Sequence, residues 1–101
     1  MSTTIFHITT KPEWEAAKRL GFYKTLSLKE EGFIHCSEDR QVPGVLNRYF
    51  HDRKDLVKLV IKTEKLKSPY FFDWSTSVED TFPHVYGPIN LDAVEDIVNV
   101  N

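Results

Sequence analysis

The sequence predicts a small α+β domain, and three observations carry that prediction. Strand and helix signals are interspersed, yet the C-terminal half is strand-rich and holds no long amphipathic helix, which argues against a doubly wound parallel sheet. At 101 residues the chain can bury one substantial core and is too short for two, so residues 1–101 are read as one domain. Apolar residues at 41% against 28% charged suit a globular protein rather than a disordered chain.

The elements follow in order. Thr4 to Thr9 mixes β-branched and aromatic residues and reads as the first strand. Thr10 with Glu13 forms a capping box that opens a helix, and Gly21 ends it. Within that helix Trp14, Ala17 and Leu20 recur at helical spacing, a stripe that packs on a sheet and makes Trp14 a core residue. Ser27 and Glu30 suggest a second capping box, and with Gly32 as a stop SLKEEG reads as about one helical turn.

That turn delivers the chain into FIHCS, a strand in which Ile34 and Cys36 face one way and Phe33, His35 and Ser37 the other. Pro43 then opens a helix through Phe50 with Val42, Leu46, Tyr49 and Phe50 as its apolar side, followed by a surface turn at His51, Asp52 and Arg53. DLVKLVIKT is a strand with Val57, Leu59 and Ile61 on one face. YFFDW is its neighbour, with Tyr70, Phe72 and Trp74 sharing a face opposite Phe71 and Asp73. Ser75 to Thr81 reads as a polar loop. FPHVYGPI, with a proline on each side of its histidine, reads as an extended or looped edge segment, and Ala93 to Val100 as a terminal strand.

Charge and cysteine usage narrow the function classes. Thirteen Lys and Arg against fifteen Asp and Glu give a net charge of -2, which removes the general drive toward nucleic acid. A single cysteine, Cys36, forms no internal disulfide, and no basic leader with an apolar stretch precedes the first strand, so the expected setting is the cytoplasm. Apolar runs are far shorter than the roughly 20 residues a membrane helix needs, so no membrane role is expected.

Three histidines carry the chemical signal. His7 in IFHIT and His35 in FIHCS each occupy the alternate position of a strand, and His84 sits in FPHVYG. Imidazoles at the unshielded positions of two strands are what a cleft needs to hold a polar ligand or to move a proton near neutral pH. Two readings stay open for His7 and His35, a ligand site or a pair of hydrogen-bonded structural groups. For His84 the proline-flanked segment makes a rigid packed turn an equal alternative. Cys36 is a poor nucleophile candidate, because adjacent strand side chains face apart and His35 cannot activate it. There is no HxxxH, HExxH or CxxC, so metal binding reduces to a three-histidine site of His7, His35 and His84 assembled from distant strands. GxGxxG and GxxxxGK[ST] are absent. An acid pair drawn from Glu38, Asp39, Asp73, Glu79 and Asp80 falls largely in solvated loops.

The ordered set IFHIT, WxxA, GFY, SLKEEGFIHCS, Gln41, DLVKLVI and FPHVYGPI resembles a bacterial and plant family catalogued as domain of unknown function 952, over nearly the whole chain. That family in turn resembles a compact branch of the ADP-ribosyltransferase fold, with RNA 2'-phosphotransferases as its nearest-looking functional relatives. The resemblance implies a split mixed β-sheet around a nicotinamide dinucleotide cleft, flanked by two short-to-medium helices. It implies that His7 positions a ribose, that His35 and Ser37 stand in the H-x-S pattern near the nicotinamide, and that His84 or Glu79 falls near the position where the superfamily often has glutamate. The phosphate-binding arginines of those relatives would have to come from Arg19, Arg40, Arg48 and Arg53.

The expected function is therefore a transferase or hydrolase acting on NAD, an ADP-ribosyl compound or a similar nucleotide. His7, His35, Ser37 and His84 form its catalytic set, and His7, His35 and Ser37 its cofactor-binding set. The alternatives are a non-enzymatic domain that binds a small metabolite or nucleotide and, third, the three-histidine metal site.

Overall fold

A computed structural model describes residues 3–100. Strand β1 (Thr4–Thr10) leads into helix α1 (Lys11–Leu20), strand β2 (Phe22–Tyr23), helix α2 (Leu26–Glu31) and strand β3 (Ile34–His35). A single 3-10 turn at Asp39–Gln41 opens helix α3 (Val42–Tyr49), and strands β4 (Leu56–Lys62), β5 (Tyr70–Ser75), β6 (Asp80–Val85), β7 (Ile89–Asn90) and β8 (Val94–Asn99) follow. The fold is α+β. Its sheets are ordered β1-β4-β8, β2-β7 and β3-β6-β5, and every pairing among the described residues is antiparallel. Three antiparallel sheets stand in place of the expected split mixed sheet, and three helices rather than two accompany them.

Local chemistry explains the helix boundaries. Thr10 caps α1 by accepting from the Glu13 N–H at 3.2 Å, and the Glu13 carboxylate accepts from the hydroxyls of Thr10 and Thr9 at 2.9 and 3.2 Å. Gly21 at φ 94° ends the helix in a conformation costly for any residue with a Cβ. Trp14 and Ala17 are buried as predicted, but Leu20, the last helical residue, is 62% exposed because the stripe stops where Gly21 turns the chain. Helix α2 begins after Thr25, without the second capping box: the Ser27 hydroxyl donates instead to the Phe33 carbonyl at 2.8 Å, folding the helix back on the strand it precedes. Gly32 stops it as expected.

The main core lies between the sheets. Strand alternation puts Ile5 of β1 opposite Ile61 of β4, and His7 opposite Leu59, so Val57, Leu59 and Ile61 join Ile5, Trp14, Tyr23, Ile34, Cys36 and Val85 in one cluster. The other face of β1 carries Phe6 and Ile8, covered by Val42, Val45, Leu46 and Phe50 of the α3 region. Tyr49 is not on that apolar side; it is 63% exposed.

Three predictions about the C-terminal half need correction. YFFDW does not neighbour β4: β4 lies between β1 and β8, and β5 pairs with β6 in another sheet, because a hairpin turn joins β5 to the strand that follows it. FPHVYG is not an edge: β6 is the central strand, between β3 and β5. Pro83 is tolerated there because its carbonyl accepts from Cys36 N–H at 3.0 Å, which places its missing N–H on the same side, where β3 has already ended. The polar loop shrinks to the turn of the β5–β6 hairpin, as pairing runs to Ser75 opposite Asp80 and Glu79 adopts φ 59°. On β5, Phe72 and Trp74 share the core-side face but stand 42% and 62% exposed.

Candidate functional site

The segment 33–37 decides where the site lies. Ile34 and His35 pair with Val85 and His84 of β6, whereas two residues later Ser37 exchanges backbone hydrogen bonds with Phe6 of β1 at 2.7 and 2.8 Å. One short stretch therefore joins two sheets, and the split between them opens a cavity of about 570 Å³ walled by β1, residues 33–37, α3 and the β5–β6 hairpin. His7, His35, Ser37 and His84 all border it. The mutual proximity that the sequence left open is thus realised, although the histidines are chemically unequal.

His7 is buried rather than unshielded. Its Nδ1–H donates to the His35 carbonyl at 2.5 Å and its Nε2 accepts from the Tyr23 hydroxyl at 2.7 Å, so the bonds themselves fix the tautomer. Burial outweighs the favourable His35 carbonyl contact and lowers its pKa from 6.5 to about 4, leaving it neutral at pH 7. The same burial pushes the Tyr23 hydroxyl and the Cys36 thiol upward. Cys36 is a core residue, 3% exposed, and carries no thiolate chemistry.

His35 and His84 form a cross-strand pair with ring centroids 5.2 Å apart. His35 is exposed, and its Nε2 donates to Glu31 of α2 at 3.0 Å. His84 is far more enclosed: Phe33 stacks on it at 4.0 Å and 16°. Its Nδ1–H donates to Asp73 Oδ2 at 2.8 Å, and the Tyr86 hydroxyl donates to the same oxygen. These two bonds hold the Asp73 carboxyl below its usual range, Tyr86 contributing most. Burial lowers the His84 pKa despite the opposing pull of Asp73, which makes the pair a neutral imidazole beside a carboxylate.

Ser37 is buried, with its backbone locked to β1. Glu79, the alternative for the third position, is exposed in the hairpin turn and does not border the cavity. Among the described residues no lysine, arginine, aspartate or glutamate borders it either. Arg40 is engaged elsewhere, donating from both Nη atoms to Asp80 at 2.9 and 3.1 Å. Buried Gln41 extends that clamp to Asp80 Oδ2 and the Thr81 carbonyl at 2.9 and 2.8 Å, pinning the start of α3 to the hairpin across the cavity.

The three-histidine metal site does not form. The described residues contain no group of three or more His, Cys, Asp or Glu able to hold an ion, and both ring nitrogens of His7 are already bonded within the protein. Nor is any described helix long and apolar enough to cross a membrane.

A family described as a protein of unknown function, DUF952, matches residues 8–97. The chain belongs to this family. Among solved structures, this DUF952 domain is similar to the protein CC0527 from Caulobacter crescentus: the crystal structure has 28% identity and a TM-score of 0.88, covering 98% of this chain and 87% of that one. The crystal structure of its double mutant gives 27% identity and the same TM-score. The solution structure gives 27% and 0.79, covering 97% and 84%. None of the curated proteins compared with this DUF952 domain matches it.

Proposed function

We propose that this DUF952 domain binds a small ribosyl or nucleotide-like ligand in the cavity and acts on it as a transferase or hydrolase, with NAD or an ADP-ribosyl compound as the first substrate. One observation supports this above the rest: His7, His35, Ser37 and His84, drawn from three separate segments, border one cavity together with Phe33, Tyr49 and Trp74. Hydroxyl and imidazole groups suit a ribose, and aromatic walls suit a flat ring. Breaking an N-glycosidic bond passes through an oxocarbenium-like state, so a site that positions and shields can carry much of the catalysis. In this reading His35 orients the ribose or nicotinamide end and Ser37 assists through its hydroxyl. His7 fixes the His35 backbone, and contacts a ribose directly only by exchanging its Tyr23 bond for one to the ligand. The expected setting is the cytoplasm.

Nicotinamide release from NAD, measured on purified protein, is the test. The reading expects turnover that falls by at least about tenfold in both His35→Ala and Ser37→Ala, in line with the loss of a positioned polar group. No turnover by the wild type, or equal turnover in the folded variants, removes it. The second reading is a non-enzymatic binding domain, favoured by a cavity wall that among the described residues is built of aromatic, aliphatic, hydroxyl, thiol and imidazole side chains, with no Lys, Arg, Asp or Glu. Saturable binding of NAD, ADP-ribose or nicotinamide without turnover would select it.

A further inference from the structure

The three histidines differ in one respect that matters for proton transfer, namely which ring nitrogen is free. His7 has none, as the His35 carbonyl and the Tyr23 hydroxyl occupy both. His35 spends its Nε2 on Glu31 in the open, with both side chains about half exposed at 55% and 51%. His84 is the reverse case: only 12% of its side chain is exposed, its Nδ1 is turned to Asp73, and its Nε2 makes no hydrogen bond among the described residues. No buried side-chain nitrogen or oxygen among them is orphaned, so that Nε2 keeps an opening, and the cavity is what His84 borders.

From this geometry we infer that His84 Nε2 is the proton acceptor of the cavity and that Asp73, steadied by the Tyr86 hydroxyl, is its positioning residue. The inference rests on the ribosyl reading only for the identity of the substrate. A carboxylate accepts and cannot donate, so the Asp73 bond holds the proton on Nδ1 and leaves the Nε2 lone pair facing the ligand. Phe33, stacked on the ring, fixes its plane. Asp73, Tyr86, His35 and Glu31 are the titratable groups around it. Of these, His35 and Glu31 are paired with each other.

The arrangement also specifies the acceptor class. A base at the cavity wall serves an attacking atom that must lose its proton as it bonds, and the hydroxyl of water or an alcohol needs this most, since a thiol ionises more readily and an amine attacks through a free lone pair. The O–H proton passes to Nε2 while the oxygen electron pair forms the new bond to the anomeric carbon. The anomeric C–N bond breaks, and its electron pair leaves on the pyridine nitrogen of nicotinamide, which departs as the neutral molecule.

Two measurements test this without any substrate. In nitrogen-15 spectra of the folded protein near neutral pH, His84 should be the Nδ1–H tautomer. Diethyl pyrocarbonate, read by peptide mass, should modify its free Nε2. Asp73→Asn should shift the tautomer toward Nε2–H and slow modification of His84 by about tenfold, the wrong-tautomer effect seen when a histidine-orienting aspartate becomes asparagine. Modification of His35 should stay unchanged. Tyr86→Phe should keep the Nδ1–H tautomer, since the Asp73 bond survives. A wild-type His84 with its proton on Nε2, or one that resists the reagent, overturns the assignment of the base. An Asp73→Asn variant indistinguishable from wild type at His84 overturns the role of Asp73. A reactive Nδ1–H His84 in a protein that releases no nicotinamide from NAD removes the ribosyl reading and leaves this assignment standing.

Discussion

His7 shows how one side chain can border a cavity and still belong to the core. Its imidazole ties β1 to β2 through Tyr23 and to β3 through the His35 carbonyl, and replacing it strands the buried Tyr23 hydroxyl and the part-buried His35 carbonyl. His7→Ala should therefore cost about 2–4 kcal/mol, read as a lower denaturant midpoint at unchanged slope. The pH dependence has a definite sign. The folded pKa of about 4 lies below the ordinary 6.5, so between these values the unfolded chain binds more protons than the folded one. The stabilising effect of the neutral ring is complete above pH 6.5 and is lost as pH falls toward 4, by on the order of 3 kcal/mol in all. The pH profile of wild type minus His7→Phe should show that loss in this window. At the residue scale the sequence marks the histidines, because strand alternation singles them out. It does not mark their inequality, since that depends on Tyr23 and Asp73, which reach them across strand pairings. Asp73 stands out only in hindsight, as the lone charge in the otherwise aromatic YFFDW.

Elements were legible wherever a local device sets them. The Thr10 and Glu13 cap, the Gly21 and Gly32 stops and the period-2 pattern of β4 all act within a few residues, and all are found. Gly21→Ala tests one directly. A Cβ there meets nothing within 4 Å, so the cost is that of φ 94° alone, about 1 kcal/mol. What failed was what neighbours decide. β6 looks like an edge because two prolines flank its histidine, and only the early end of β3 makes Pro83 harmless in a central strand. The Gln41 clamp belongs to the same class. Gln41→Ala should cost about 1–3 kcal/mol by leaving the Thr81 carbonyl and Asp80 without a buried donor. It should also speed amide hydrogen exchange in residues 38–41 and 80–81 more than in β1 or β4.

For the whole molecule, the decisive feature is that residues 33–37 belong to two sheets. Pairing first with β6 and then with β1, this stretch holds the sheets apart by the width of the cavity and places His35 and Ser37 on its wall. Neither the switch nor the resulting cavity is readable from periodicity, because FIHCS scans as one ordinary strand. The α+β class was readable, as it follows from the order of element types; the antiparallel pairing throughout was not. The function proposed for the molecule depends on this cavity being the ligand site. Backbone amide shifts of nitrogen-15-labelled protein titrated with NAD, and separately with ADP-ribose and nicotinamide, test it most directly. Ligand bound in the cavity should give saturable shifts concentrated at residues 33–37, at the 75–78 turn and around His84. Shifts confined to other surfaces, or none with any of the three at millimolar concentration, would contradict it.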